Sequence, residues 1–230
     1  MKHLANQYDL KCLALIGSHA RGDDNLFSDV DLLGIIDGPE HSMINVKKVN
    51  LSIYSESYLR SMMRDGELFS LHIVTEGLAI TNEVFFRNIC NEFKYKDSYC
   101  KDKAIAYLMG DMILQERLNI SNWAVANKRI SWCVRTYIFA LMAEMRRPYF
   151  SKESIAFFGA NAHPSISYQD FVSLVNAKQH QGYSELLVSI LERFIGEIIS
   201  CKPTDRDIKK LYISESILNN TLKQMSLGFY

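Results

Sequence analysis

Two aspartates two positions apart, Asp29 and Asp31, stand in the segment Ser28-Asp29-Val30-Asp31-Leu32-Leu33. Alternate side chains of a β-strand share a face, so on a strand both carboxylates project the same way. Crowded carboxylates repel each other unless a cation lies between them, and hard oxygen donors of this kind suit Mg²⁺ or Mn²⁺. Upstream, the apolar run KCLALIG ends in Gly17-Ser18, followed by His19, Ala20, Arg21 and Gly22. Glycine lets the backbone approach a ligand closely, and the following amides and serine hydroxyl can hold a phosphate at a helix start. A phosphate cradle beside a divalent-metal pair is what attack on a nucleotide phosphorus requires.

Gly17-Ser18, then ten residues, then Asp29-Val30-Asp31-Leu32 resembles the signature of the polymerase-beta-type nucleotidyltransferase superfamily. The fuller strings GSHARG and SDVDLL are most similar to the bacterial minimal and the antibiotic nucleotidyltransferases, a likeness that covers residues 10 to 95. The resemblance implies transfer of a nucleoside monophosphate from ATP or another NTP to an acceptor hydroxyl, with release of pyrophosphate. It implies Asp29 and Asp31 as catalytic metal ligands for Mg²⁺ or Mn²⁺, and Gly17, Ser18, Arg21 and Ser28 as nucleotide contacts, with capping of its own short helix as the alternative for Arg21.

It also implies a third carboxylate on the next strand, often the general base, and there the chain carries Asn50. An asparagine oxygen can ligate a metal but cannot accept a proton. In antibiotic nucleotidyltransferases the base comes from the helical domain, which turns attention to Glu144 and, second, to Glu153. Glu144 falls beside Tyr137 at the edge of an apolar stripe, where partial burial would raise its pKa towards that of a usable base. The alternatives are a helix-end glutamate paired with Arg147 or Lys152, and for Glu153 a helix-start residue.

Other residues carry weaker chemistry. His19 adjoins Ser18 and reads first as a loop residue. His72 and Glu76, four apart in FSLHIVTEG, share a helix face and read as a structural pair, since no third metal ligand is near in sequence. Lys128, Trp132 and Arg135 share a face of another helix, either solvated or a platform for a base or an anionic acceptor.

The elements that would position these groups change character along the chain. KCLALIG and VDLLGII are apolar runs of strand length, and VKKVNLSIY alternates Val49, Leu51 and Ile53 with polar residues, as a strand with one polar face does. Ser55 or Ser57 can cap a helix through Met63. Beyond Asp97 the pattern predicts only helices: Lys101 to Leu118, Trp123 to Arg146, Ser151 to Phe158, Tyr168 to Ala177, Ser184 to Ser200 and Asp205 to Met225. In the second, Ile130, Val134, Tyr137, Ile138, Leu141 and Met145 form one stripe at helical spacing. The expected fold class is α+β: an N-terminal nucleotidyltransferase domain over 1–97, with a short mixed sheet and flanking helices, and a C-terminal helical bundle over 98–230 for substrate binding or interaction. The site would lie in a cleft between them.

Composition bounds the rest. The chain has 230 residues, 48% apolar and 23% charged, which excludes disorder and fibrous repeats. With 26 basic and 26 acidic residues the formal charge is zero, so no global field recruits long nucleic acid or an anionic membrane. Five scattered cysteines without a Cys-x-x-Cys pair read as reduced core residues. The first ten residues lack the apolar core of a secretory signal, and the run Tyr137 to Met145 is far shorter than a membrane span, so the expected location is cytoplasmic. The expected partners are a nucleoside triphosphate and a hydroxyl on a small molecule such as an antibiotic, an RNA end or a protein, with a homodimer left open. The alternative function is a catalytically degenerate nucleotide-binding regulator or a toxin-antitoxin-type partner.

Overall fold

The computed structural model describes residues 7–24, 26, 28–38 and 42–226. They fall into two compact units, one holding the described residues up to Asp97 together with Arg146–Ser151, the other holding Ser98–Met145 and the described residues from Lys152 onward. The fold class is α+β, with a mixed five-stranded sheet in the first unit.

That sheet is built from β1 (Cys12–Ile16), β2 (Val30–Ile36), β3 (Ser42–Val46), β4 (Val49–Ser55) and β5 (Leu78–Thr81), in the order β3-β4-β2-β1-β5. β2 runs parallel to β4, and the other neighbouring pairs are antiparallel. The central strands β1 and β2 are buried on both faces, which is why they read as unbroken apolar runs rather than alternating ones. A short helix, α1 (Ser18–Arg21), leaves β1. Then α2 (Glu56–Arg64), α3 (Leu68–Glu76) and α4 (Glu83–Cys90) cover one sheet face, where Leu59, Met63, Ile73, Phe86 and Ile89 meet Cys12, Ala14, Ile16, Leu33 and Ile35. Ser55 caps α2 by accepting the Tyr58 amide. The opposite face gathers Leu13, Leu32, Leu51 and Ile53.

The strand expected over VKKVNLSIY divides in two. Val46 ends β3, Lys47 and Lys48 turn, and β4 begins at Val49. Lys47 takes φ 56, the left-handed conformation that matches hairpin twist. Lysine carries none of the Gly, Asn or Asp signals of such a turn, and β3 is an exposed edge strand without an apolar run, so neither was visible in the sequence.

The second unit contains α5 (Cys100–Gln115), α6 (Trp123–Glu144), α7 (Lys152–Ala162), α8 (Tyr168–Val175), α9 (Glu185–Glu197), α10 (Asp205–Ser214) and α11 (Ser216–Ser226). Side-chain caps start four of them: Asn122, Ser167, Ser184 and Thr204 accept the amides of Val125, Asp170, Leu187 and Asp207. On α6, Ile130, Val134, Tyr137 and Ile138 are buried as expected, but so are Cys133, Ala140, Met142 and Ala143, because α6 is surrounded rather than one-sided. Met145 is 54% exposed, since the helix ends one residue before it. The single helix expected over Asp205 to Met225 breaks at Glu215, whose backbone is extended. Cys12 and Cys133 are buried, whereas Cys100 is exposed at the start of α5, a correction to the expectation of core cysteines throughout.

Candidate functional site

The end of β1 and the start of β2 lie side by side. Ile16 is the register partner of Asp31, and Asp31 pairs across the parallel ladder with Asn50 on β4. Strand alternation puts Asp31 on the face of Leu33 and Ile35, the helix-covered one, at its margin. Gly17 follows with φ 78 and ψ −156, a conformation natural to glycine. A Cβ added there would sit 2.9 Å from Asp31 Oδ2. The loop backbone therefore passes close to the carboxylate; the left-handed φ favours glycine, and a side chain there would also displace the Asp31 carboxylate.

The turn after Gly17 uses most of its own amides. Gly17 O accepts from Ala20 and Arg21, and Ser18 O accepts from Gly22 and Asp23, with Gly22 left-handed at the close. The amides of Ser18 and His19 have no partner among the described residues. His19 Nδ1 lies 3.2 Å from Asp24 Oδ2, and its Nε2 is buried without a hydrogen-bond partner among the described residues.

Behind the loop stands Glu76, the last residue of α3, whose side chain is 3% exposed. Its Oε1 accepts the Gly17 amide at 2.8 Å and lies 2.5 Å from His72 Nδ1; its Oε2 accepts from Arg21 Nη1 at 2.5 Å. Burial alone would push the Glu76 carboxyl up, but the His72 imidazole and the Arg21 guanidinium outweigh it and hold the group below its usual value. Arg21 also grips Asp23 through Nε and Nη2, both at 3.1 Å. Burial opposes the charge of Arg21, and Asp23 and Glu76 more than restore it. The sequence suggested that Gly17 and Arg21 face a triphosphate; both are engaged with carboxylates of the protein itself. The His72–Glu76 pair is structural, as its spacing suggested, yet its attachment to the loop was missed. The available signal was the lone acid at the end of the largely apolar helix LFSLHIVTE, where a buried charge must find partners.

Asn50 Nδ2 donates to Asp31 Oδ1 at 3.0 Å. The position that the resemblance assigns to a third carboxylate thus supplies a donor to the second one. Asp29 is exposed and precedes the strand proper, and Ser28 before it is half-buried. Among the described residues, no three His, Cys, Asp or Glu side chains are grouped so as to hold a metal ion.

In the helical unit, Glu144 ends α6 with its carboxylate fully engaged. Oε1 accepts from the Tyr99 amide at 2.9 Å and from Ser98 Oγ at 3.4 Å, and Oε2 accepts from Lys103 Nζ at 2.8 Å. Burial raises its pKa, but the Lys103 ammonium and the Tyr99 amide prevail and leave it lowered. This reverses the expected direction, because the charged form finds partners that the sequence did not show. Glu153 is exposed in the first turn of α7, where a carboxylate complements the helix dipole. Lys128 is exposed, Trp132 packs against the helical core, and Arg135 lies over the Phe139 ring at 5.5 Å.

No protein-family model matches the chain, and no curated protein matches it. Among solved structures, the chain is similar to a nucleotidyltransferase-like protein from Exiguobacterium sibiricum 255-15, a crystal structure at 1.90 Å resolution. The identity is 13%, the TM-score 0.36, and the match covers 87% of this chain and 72% of that one. Among the described residues, no helix is long and apolar enough to cross a membrane.

Proposed function

We propose that the first unit binds a nucleoside triphosphate with a divalent cation and transfers its nucleotidyl group to an acceptor hydroxyl, releasing pyrophosphate. The observation that carries this reading is the close approach of the Gly17 loop to the Asp31 carboxylate, which lies where a Gly17 side chain would be, with Ser18 and its amide next in the chain. A triphosphate on the loop and a cation on Asp31 would then be neighbours, as in-line displacement at phosphorus requires. Asp31 and Asp29 would hold Mg²⁺ or Mn²⁺, which when bound supplies charge neutralisation along the phosphates. Ser18 would bind phosphate through its hydroxyl and amide, and Ser28 would border the nucleotide. Gly17 keeps the approach close. Arg21, itself braced by Asp23 and Glu76, stabilises the turn.

The acceptor's proton needs a group other than Asn50, which cannot take it. Glu144, pulled below the usual carboxylate range by Lys103 and Tyr99, is a weak base, and Glu153 is the less engaged alternative. A second reading, a nucleotide-binding regulator without turnover, is favoured by one observation: Asn50 caps Asp31 where a third anionic oxygen would stand.

Incubation with α-labelled NTPs, Mg²⁺ or Mn²⁺ and candidate acceptors tests the proposal. Label on an acceptor, pyrophosphate release and the loss of both in Asp29→Ala and Asp31→Ala are the expected results. Tight cation-dependent binding without any turnover would select the regulator, and retained turnover in either variant would overturn the metal assignment.

A further inference from the structure

A carboxylate as deep as that of Glu76 is destabilising unless both oxygens are satisfied. The Gly17 amide after β1 and the Arg21 guanidinium at the end of α1 donate to it, and His72 Nδ1, one turn back on α3, lies 2.5 Å from Oε1. The His72 ring is itself held against Phe150, with 4.3 Å between ring centroids. On the other side of Gly17 lies Asp31 Oδ2, close enough that a Cβ would meet it at 2.9 Å. Gly17 is therefore set between two carboxylates, one receiving its N–H and the other occupying the space that a side chain on it would enter. The direction of its amide and its distance from Asp31 are both set by that clasp.

We infer that Glu76 is a positioning residue, fixing the Gly17–Ser18 loop against Asp31 without itself touching a ligand. The inference rests on the reading of this loop as the triphosphate site, and it adds what keeps that site in shape. Because Glu76 takes the Gly17 amide and one arm of Arg21, the half-buried Ser18 that follows is held in a single geometry. A preformed loop binds without first having to order itself, so loosening it lowers affinity even with every ligand-contacting group intact. Glutamine at position 76 could still accept the Gly17 amide but would set an NH₂ group against Arg21, whereas aspartate keeps the charge on a stem one methylene shorter.

The test uses the full chain and reads two quantities in wild type, Glu76→Gln and Glu76→Asp: hydrogen exchange of the Gly17 amide by NMR, and affinity for Mg²⁺-ATP by titration. Gly159→Ala, in the helical unit, serves as a control for loss of stability alone. Glu76→Gln is expected to exchange Gly17 faster by about tenfold or more and to weaken Mg²⁺-ATP binding by about tenfold, the scale of one lost hydrogen bond to a charged group. Glu76→Asp should recover part of both, and Gly159→Ala should leave the affinity unchanged at a comparable fall in Tm. A Glu76→Gln protein with wild-type Gly17 protection, or with lost protection and unchanged affinity, overturns the inference. Should Glu76→Gln fail to fold, Arg21→Lys removes one arm of the clasp and is read against the same two outcomes. A wild type without affinity for Mg²⁺-ATP contradicts the proposed function rather than the clasp, which is then decided by Gly17 exchange alone.

Discussion

Asn50 and Glu144 show how a residue's partners decide its chemistry. Asn50 Nδ2 satisfies Asp31 Oδ1 at 3.0 Å, so Asn50→Asp replaces an attraction by a repulsion between two carboxylates in contact. The variant should lose about 1–3 kcal/mol of stability without divalent ions, measured by urea unfolding, and regain most of it in Mn²⁺, because a third anionic oxygen then has a cation to face. An unchanged midpoint in both conditions would mean that the pair is not as the structure has it. Glu144 is held below its ordinary value of 4.5 by Lys103 and Tyr99. A lowered folded-state pKa means that its contribution is complete above the ordinary value and is lost as the pH falls through the lower one. Glu144→Gln should therefore destabilise by about 1 kcal/mol at pH 7 and by progressively less in acid, the two unfolding curves converging only once the pH is below the lowered folded-state pKa. Should Glu144 be the base after all, the same variant would slow turnover by about 10²-fold or more. The buried thiols Cys12 and Cys133, pushed up to about 12 by desolvation, stay protonated and unreactive at neutral pH.

At the scale of elements, packing explains where local sequence signals sufficed and where they did not. β1 and β2 were legible because central strands are apolar throughout, and β4 because one face is polar. β3 carries no run of apolar residues, β5 is only four residues long, and the Lys47-Lys48 turn has no turn chemistry in its letters. In the helical unit the caps at Asn122, Ser167, Ser184 and Thr204 announce helix starts, but the ends moved by several residues because tertiary contacts, not propensity, set them. Gly159 on α7 is a contact of this kind. A Cβ there would meet the Phe171 ring at 2.7 Å, and Phe171 is fully buried against Phe194 with 5.9 Å between centroids. Alanine is the better helix former by about 1 kcal/mol, yet overpacking against a ring that cannot retreat should prevail. Gly159→Ala is expected to lower stability by about 1–3 kcal/mol in thermal or urea unfolding. A stabilised variant would show that the α7–α8 contact has room to give.

For the molecule as a whole, the sequence displayed the change from sheet to helices and the two motifs that meet at Gly17 and Asp31, since both motifs are local. What it hid is the long-range part: Glu76 reaching the loop from a point 59 residues along the chain, and Tyr99 and Lys103 reaching Glu144 across 45 and 41. Side-chain partners separated in this way leave no periodic trace in a single sequence. They nevertheless set which carboxylates are engaged and which stay available to a ligand. The central claim is that the Gly17–Ser18 loop and Asp31 together take a triphosphate with a divalent cation. Calorimetric titration of wild type and Asp31→Asn with ATP, each with Mg²⁺ and with EDTA, tests it most directly. The account predicts binding by wild type that depends on Mg²⁺ and is weakened by about tenfold or more in a folded Asp31→Asn. Equal affinity in the two proteins, or a folded wild type that binds no triphosphate with Mg²⁺ present, would contradict it.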